Sequence, residues 1–172
     1  LLCSMLKPRQ AVGSIYDIDL KSLWDSGYHN MIVDVDNTIT PWNNYTANSS
    51  LEEWIQKAKS MGFRICLLSN SDPAKIKQFA IELGVIAAPK GGKPFTRAFQ
   101  SALTALCSNK HNTLVIGDQI FTDVLGGNCA GLYTILVDPI DTREFIGTRF
   151  TRLMERLLAG RRPICKSQRQ RK

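Results

Sequence analysis

A predicted strand that ends on two acidic residues constrains the fold of this chain more than any other feature. Residues 31–33 read Met-Ile-Val, apolar side chains that favour a buried β-strand, and they lead directly to Asp34 and Asp36. Burying a carboxylate is costly unless a partner compensates its charge. Both aspartates are therefore expected at the open carboxyl end of the strand, facing a cation or a substrate.

The same pattern recurs along the chain, because short apolar runs stop on polar residues and are followed by helical segments. Strands are predicted at residues 31–34, 63–68, 85–88, 113–116 and 133–137, with a short extended piece at 15–18. Helices are predicted from Asp19 to Trp24, from Ser49 or Ser50 to Gly62, from Pro73 to Leu83, after Pro94, and from Thr122 or Asp123 to near Gly131. This alternation predicts an α/β fold, a three-layer Rossmann-like parallel sheet of about five strands with helices on both faces.

Polar residues at four strand ends predict a functional site on one edge of that sheet. Ligands of such sheets bind outside the carboxyl ends of the strands. The residues concerned are Asp34, Ser69, Lys93 and Asp118. Taken singly, Ser69 could be a turn residue, Lys93 a solvated loop lysine and Asp118 a helix cap. A stable fold does not require aspartate, serine and lysine at four successive strand ends. Their joint occurrence therefore favours a catalytic site.

In this order the four groups resemble the motifs of the haloacid dehalogenase (HAD) phosphohydrolases. The matching segments are Asp34-x-Asp36-x-Thr38, Ser69, Lys93-Pro94 and Gly117-Asp118-x-x-x-Thr122-Asp123. The resemblance covers residues 15 to 150 and implies an HAD-like fold. Because it has an acid at position 36, the first motif resembles that of the phosphatases of this superfamily rather than that of its dehalogenases or P-type ATPases.

The resemblance also implies a role for each residue. Asp34 would be the nucleophile that forms an aspartyl-phosphate, and Asp36 would protonate the leaving alkoxide and then activate water. A magnesium ion would be held by Asp34, Asp118 and the main-chain carbonyl of Asp36. Asp123 would lie behind these ligands and orient a water molecule or Lys93. The phosphate-binding residues would be Thr38, Ser69, Asn70 and Lys93.

The spacing of the motifs leaves no room for a lid domain. Asp36 and Ser69 are 33 positions apart, which a loop and one helix use, and Ser69 and Lys93 are 24 apart, which one helix and a short strand use. We therefore expect no cap domain and a site that is open in the monomer. An open site favours a lipid head group or a macromolecule as substrate, or shielding by another subunit.

Further segments are similar to a capless class IIIA branch of the superfamily called YqeG-like. They are Ser14-Ile-x-Asp17-Ile, Lys93-Pro94-x-x-x-Ala98-Phe99, the run from Gly117 to Asn128, and Arg149-Phe150-Thr-Arg152. That branch is linked to phosphatidylglycerophosphate phosphatases, which implies a magnesium-dependent phosphomonoesterase that makes phosphatidylglycerol.

Other functions stay open from the residues alone. One is a capless phosphatase for a soluble sugar phosphate, with its site closed by oligomerisation, and another is a phosphoprotein phosphatase. A third is a non-catalytic module that binds phosphate or anionic lipid. Intact Asp34 and Asp36 argue against the third, because binding alone needs no acid beside the nucleophile.

The net charge of +7 is concentrated at the carboxyl terminus, where residues 161–172 hold six basic residues and no acid. Without them the chain has 16 basic and 15 acidic residues, a net charge of +1. We expect one phosphatase domain over residues 1–160 and a basic tail over 161–172. Residues 146–158 predict an amphipathic helix that either lies on an anionic membrane together with the tail or packs against the sheet.

Cysteine usage and hydropathy bear on the compartment. The five cysteines are odd in number, widely spread and without a C-x-x-C pair, which argues for reduced thiols and against a zinc site or a disulfide framework. No run is long enough for a membrane span, and the apolar start is too short for a signal peptide. The chain is therefore expected to be cytoplasmic and peripheral on the inner membrane face. A basic tail suits an anionic lipid surface or nucleic acid, or only keeps the chain soluble, and we expect no nucleic acid partner.

Overall fold

Six parallel strands form the sheet in the part of the chain that the computed structural model describes, residues 2–89 and 92–141. They are β1 (Gln10–Val12), β2 (Asn30–Val33), β3 (Arg64–Leu67), β4 (Ile86–Ala87), β5 (Thr113–Gly117) and β6 (Tyr133–Val137). Their order across the sheet is β1-β6-β5-β2-β3-β4. After β4 the chain returns to the other side of β2, so the strand order switches between β2 and β5, where ligands of such sheets bind.

Helical segments connect the strands. The α-helices are α1 (Leu2–Met5), α2 (Leu20–Asp25), α3 (Ser49–Ser60), α4 (Pro73–Leu83), α5 (Thr96–Ala105) and α6 (Leu125–Cys129). A 3₁₀ turn at Ile15–Asp17 precedes α2, and a π-helical turn at Ile120–Val124 leads into α6. This is the three-layer α/β architecture that the alternating sequence pattern predicts.

Alternate side chains of the strands supply the two halves of the core. Met31 and Val33 face a cluster that includes the apolar sides of α2, α3 and α4. Ile32, between them, faces a second cluster built mainly with α5. Because both faces are covered, residues 31–33 of β2 are continuously apolar rather than alternating, as parallel strands in layered folds are.

Two details at the amino-terminal end differ from the sequence prediction. The extended piece predicted at 15–18 is wrong, because Ser14 donates to the Asp17 carboxylate at 2.8 Å and the backbone closes into a 3₁₀ turn. The sequence also missed β1. This strand has only three residues, one of them polar, so no apolar run reveals it, and within the described sheet it pairs with β6 alone.

One helix has the caps that the sequence predicts, and two helical segments begin at residues other than those predicted. Asp72 and Gly84 cap α4 as expected, with Gly84 at φ 63°. The cap of α3 is Asn48 rather than either serine that follows it, since its side chain accepts the Leu51 N–H at 2.8 Å. The helical segment after β5 begins at Ile120, earlier than predicted.

The predicted carboxyl-terminal helix at 146–158, the basic tail at 161–172 and the boundary at residue 160 lie outside the described residues. Within the described ranges, no helix has the length and apolarity needed to span a bilayer. Cys66, Cys107 and Cys129 are free thiols.

Candidate active site

The carboxyl edge of the sheet gathers acidic side chains from separate parts of the chain. Asp34 follows β2, Asp118 follows β5, and Asp123 lies in the π-helical turn after β5. Carboxylate oxygens from these three residues lie within 4.8 Å of one another. The structure therefore brings Asp34 and Asp118 together, as the strand ends predict, and places Asp123 beside them.

Lys93 lies between two of these acids, in the connection that leads from β4 to α5. Its Nζ is 2.6 Å from Asp34 Oδ1 and 2.6 Å from Asp123 Oδ1. The side chain is almost fully buried, which would lower the pKa of its ammonium, but the charges of Asp123 and Asp34 outweigh burial and raise that pKa. Lys93 is therefore a fixed cation and not a solvated loop residue.

Three carboxylates face a single ammonium, which leaves an excess of two negative charges when all are ionised. Burial, together with the charges of Asp34 and Asp123, raises the pKa of Asp118 to about 8. A divalent cation would remove this excess, and an all-oxygen donor set suits Mg²⁺. The residues present thus fit a magnesium ion, which Asp34 and Asp118 would hold through carboxylate oxygens.

Asp123 is placed to support this cluster from behind. Its Oδ1 pairs with Lys93, and its Oδ2 accepts the Gln119 N–H at 3.1 Å. Both oxygens are therefore already engaged, which agrees with an orienting role. The main-chain N–H groups of Asp123 and Val124 in turn bond the Gln119 carbonyl, which explains why the helical turn begins before the residues that the sequence indicated.

Thr38 joins the strand-end loop to the acid cluster. Its hydroxyl oxygen lies 3.1 Å from Asp118 Oδ1 and 3.4 Å from Asp34 Oδ2. Asn37, immediately before it, adopts a positive φ of 63° that turns the chain back over the strand end. In this arrangement the Thr38 hydroxyl bridges two acids, and its predicted contact with phosphate stays a prediction.

Asp36 occupies a separate position from the three clustered carboxylates. Ser71 and Ser69 donate to its Oδ2 at 2.6 and 3.1 Å, and Tyr45 and the Asn43 N–H donate to its Oδ1 at 3.2 and 3.0 Å. Burial raises the pKa of this carboxyl, but the four hydrogen bonds outweigh burial and lower it. Asp36 is thus an ionised acceptor held rigidly in place.

The residues after β3 brace the site through contacts that the sequence did not predict. Ser69 holds Asp36, and the Asn70 side chain makes two hydrogen bonds to the main chain of Lys93, at 2.8 and 3.1 Å. Their predicted contacts with phosphate stay predictions, because these polar groups already have partners. Ser71 and Tyr45 were missed. For Ser71, its place in the Ser-Asn-Ser run at the strand end was a usable signal.

Gly117 allows Asp123 to approach, and its replacement by alanine should disturb the site. A Cβ at position 117 would lie 2.3 Å from Asp123 Cγ, which is far too close for either atom to stay in place. We expect a loss of about 1–3 kcal/mol in the free energy of unfolding. Displacing Asp123 should also lower phosphate release about tenfold to a hundredfold. Thermal melting and a phosphate assay measure the two effects.

Gly92→Ala is the matched control, because a Cβ there meets nothing nearer than Phe95 Cδ2 at 3.7 Å. It should leave both quantities close to those of the unmodified chain. Equal effects from the two substitutions would contradict the role given to Gly117.

Comparison with known proteins agrees with this geometry. A family model described as HAD-hydrolase-like matches residues 91–141. The chain is 35% identical over 156 residues to "Probable phosphatase YqeG" of Bacillus subtilis, covering 91% of each chain. It is 28% identical to "Phosphatidylglycerophosphate phosphatase 1, chloroplastic/mitochondrial" of Arabidopsis thaliana, covering 88% of this chain but only 47% of that protein.

The fold is also found among solved structures. An uncharacterized protein from Listeria monocytogenes serotype 4b superposes with a TM-score of 0.53 at 21% identity, covering 76% of this chain and 97% of the other. This likeness supports the α/β fold, while the sequence relation to YqeG supports the family. The chain therefore belongs to the haloacid dehalogenase superfamily of phosphatases, in the family of the Bacillus subtilis YqeG protein.

Proposed function

We propose that this phosphatase is a magnesium-dependent phosphomonoesterase that releases phosphate from phosphatidylglycerophosphate through an aspartyl-phosphate on Asp34. The observation that carries the catalytic part is the placement of Lys93 between Asp34 and Asp123, with Asp118 beside them. A buried ammonium against a cluster of carboxylates suits the binding of an anionic group next to a nucleophilic acid.

The first step would be attack of an Asp34 oxygen on phosphorus. The bond between phosphorus and the ester oxygen breaks, and the leaving alkoxide takes a proton from Asp36. The four hydrogen bonds to Asp36 favour its ionised form in the absence of substrate. An anionic phosphate nearby would shift the pKa of that carboxyl upwards, in the direction that an acid requires.

The second step would be hydrolysis of the aspartyl-phosphate. Asp36, now ionised, takes a proton from water, the water oxygen attacks phosphorus, and Asp34 is released together with inorganic phosphate. Lys93 would offset negative charge in both steps, because its ammonium lies 2.6 Å from Asp34 Oδ1 and 2.6 Å from Asp123 Oδ1 in the resting site. Mg²⁺ held by Asp34 and Asp118 would reduce repulsion between the carboxylate and the phosphate and keep them in line.

The lipid substrate is supported by the relation to the Arabidopsis phosphatidylglycerophosphate phosphatase and by the openness of the site. Between Asp36 and Ser69 the structure has only a loop and α3, and the described residues between Ser69 and Lys93 form only α4, β4 and their connections. No cap domain is thus inserted at either place in the described chain. A head group on a membrane can reach such an opening directly. We include contact of residues 146–172 with the membrane in the proposal.

A panel of substrates tests this proposal. The full chain is assayed with Mg²⁺ on phosphatidylglycerophosphate in mixed micelles, on soluble sugar phosphates and on phosphopeptides, with phosphate release as the readout. We expect kcat/KM for the lipid to exceed that for every soluble ester by at least about tenfold, more than 1.4 kcal/mol of transition-state binding. A higher kcat/KM for a sugar phosphate or phosphopeptide would contradict the lipid assignment while leaving the phosphatase chemistry intact.

A further inference from the structure

Large apolar side chains that are exposed to solvent concentrate at one edge of the sheet. Seven such side chains occur among the described residues, and six of them lie in connections that leave the carboxyl ends of strands. Those six, which we call the apolar rim, are Tyr16, Trp42, Phe95, Ile120, Phe121 and Ile140, each 39–59% exposed. The seventh, Ile81, lies on α4 and is 62% exposed.

The opposite edge of the sheet shows no counterpart. Among the described residues, the connections that lead from helices into strands carry none of these exposed large apolar side chains. Scattered apolar residues on a protein surface need no explanation, but a grouping on one edge indicates an interaction surface. Phe95 belongs to this group, because it lies at the residue just before α5 and is 59% exposed.

The apolar rim is continuous with the catalytic opening. A pocket of about 120 Å³ is lined by Tyr16 and Ile140 together with Thr38. The Thr38 hydroxyl contacts Asp118 and lies near Asp34. Phe95 follows Lys93 by two residues, and Ile120 follows Asp118 by two. A partner that covers the apolar rim would therefore also cover the site where phosphate is released.

We propose that the apolar rim docks the catalytic opening onto a phospholipid bilayer, with its side chains entering the interface between head groups and acyl chains. This inference rests on the proposed lipid substrate, whose phosphate lies at head-group depth. Because the bilayer carries the substrate, a surface that docks the protein on the bilayer should lie beside the catalytic opening, as the apolar rim does. Tyrosine, tryptophan and phenylalanine supply apolar area that suits this depth.

The arrangement favours a fluid interface over a bound peptide. The six side chains come from five separate connections and are interrupted by polar residues such as Gln119 and Asp138. Shallow insertion at several points needs no continuous groove, whereas a docked helix does. The connections also carry the exposed acids Asp17 and Asp138, so attraction to anionic lipid is not the basis of this contact. Binding through the rim should therefore depend little on salt.

The test is flotation of the full chain with phosphatidylcholine vesicles, which carry no substrate. The triple variant Tyr16→Ser, Phe95→Ser, Ile140→Ser should bind the vesicles with an affinity at least about tenfold lower, which corresponds to about 1.4 kcal/mol or more. Ile81→Ser, the matched control on α4, should bind like the unmodified chain. Binding of the unmodified chain should change little between about 0.1 M and 1 M salt, where the Debye length falls from about 10 to about 3 Å.

A second measurement reports insertion without any change to the other rim residues. Vesicles of brominated phosphatidylcholine should quench the emission of Trp42, and Trp42→Phe should remove the quenched component. Unchanged melting temperatures of all variants exclude unfolding as the cause of lost binding.

Four results would overturn the proposal: no vesicle binding by the unmodified chain, equal binding by the triple variant, equal loss in Ile81→Ser, or no Trp42 quenching. A rim-dependent dimer without vesicle binding would likewise overturn it and assign the surface to a second copy of the chain. These readouts need no catalysis. Rim-dependent binding with no phosphatidylglycerophosphate hydrolysis would therefore reject the proposed substrate, while lipid hydrolysis without rim-dependent binding would reject only this inference.

Discussion

Asp34→Asn should reduce magnesium-dependent phosphate release to background, a loss of at least about 10³-fold. An amide is a far poorer nucleophile than a carboxylate and cannot form an aspartyl-phosphate. The fold should survive, because Lys93 keeps its 2.6 Å pair with Asp123 and one of three neighbouring negative charges is removed. We therefore expect a melting temperature equal to or above that of the unmodified chain, measured in the absence of metal.

Asp25→Asn is the control for this substitution. Asp25 is an exposed residue of α2 whose ion pair among the described residues is with Lys21 on the same helix, so the same chemical change there should alter neither activity nor melting appreciably. Normal turnover by Asp34→Asn would rule out Asp34 as the nucleophile. Loss of both activity and folding in Asp34→Asn would instead show that this carboxylate is needed structurally.

Lys93→Met should destabilise the protein more than any other single substitution considered for this site. The methionine fills a similar volume but leaves Asp34 and Asp123 buried without their cation. Removing one partner from a buried ion pair costs about 3–5 kcal/mol. Phosphate release should also fall to near background, because no ammonium is left to offset charge on the phosphoryl group. Chemical denaturation gives the first quantity and the phosphate assay the second.

The pH dependence of the destabilisation in Lys93→Met shows whether it comes from the buried acids left without a cation or from lost packing of the side chain. Burial and nearby carboxylates raise the pKa of Asp118 in the folded protein to about 8, above its ordinary value near 4. A carboxyl with a raised folded pKa contributes stability that is complete below the unfolded pKa and is lost as pH rises through the folded one. Metal-free stability should therefore fall between about pH 4 and 8.

This loss should be steeper in Lys93→Met, because the Lys93 ammonium, which lowers the pKa values of Asp118 and Asp123, is gone and both pKa values rise further. If the free energy of unfolding of Lys93→Met is lower than that of the unmodified chain by the same amount at every pH, the loss comes from packing instead. Lys57→Met, on the exposed face of α3, is the control and should show no such change.

The fold followed from the sequence because its main signals are local. The apolar runs of β2, β3 and β5, together with the caps of α4, set the alternation of strands and helices. The features that were missed depend on tertiary contacts. β1 is defined only by its pairing with β6, and the early start of the turn after β5 depends on the buried Asp123 and its bonds to Gln119.

The candidate site shows the same division. The residue types at the strand ends were sufficient to predict that Asp34, Lys93 and Asp118 would meet. The partners of Asp36 were not predictable in the same way, because they depend on how the loop after β2 folds back. Tyr45 reaches Asp36 across that loop, and no periodicity or motif signals its contact. Asn70 likewise braces Lys93 through main-chain bonds across 23 positions.

Chemical trapping of the phosphorylated enzyme tests the central claim most directly. The full chain is mixed with Mg²⁺ and a phosphomonoester that it turns over, quenched in acid during turnover, and reduced with borohydride, which converts an acyl phosphate to an alcohol. Peptide mass spectrometry then locates the modified carboxyl group. The account predicts reduction at Asp34 alone, dependent on both substrate and Mg²⁺. Modification of a different carboxyl group, or an unmodified Asp34 under conditions of steady phosphate release, would contradict it.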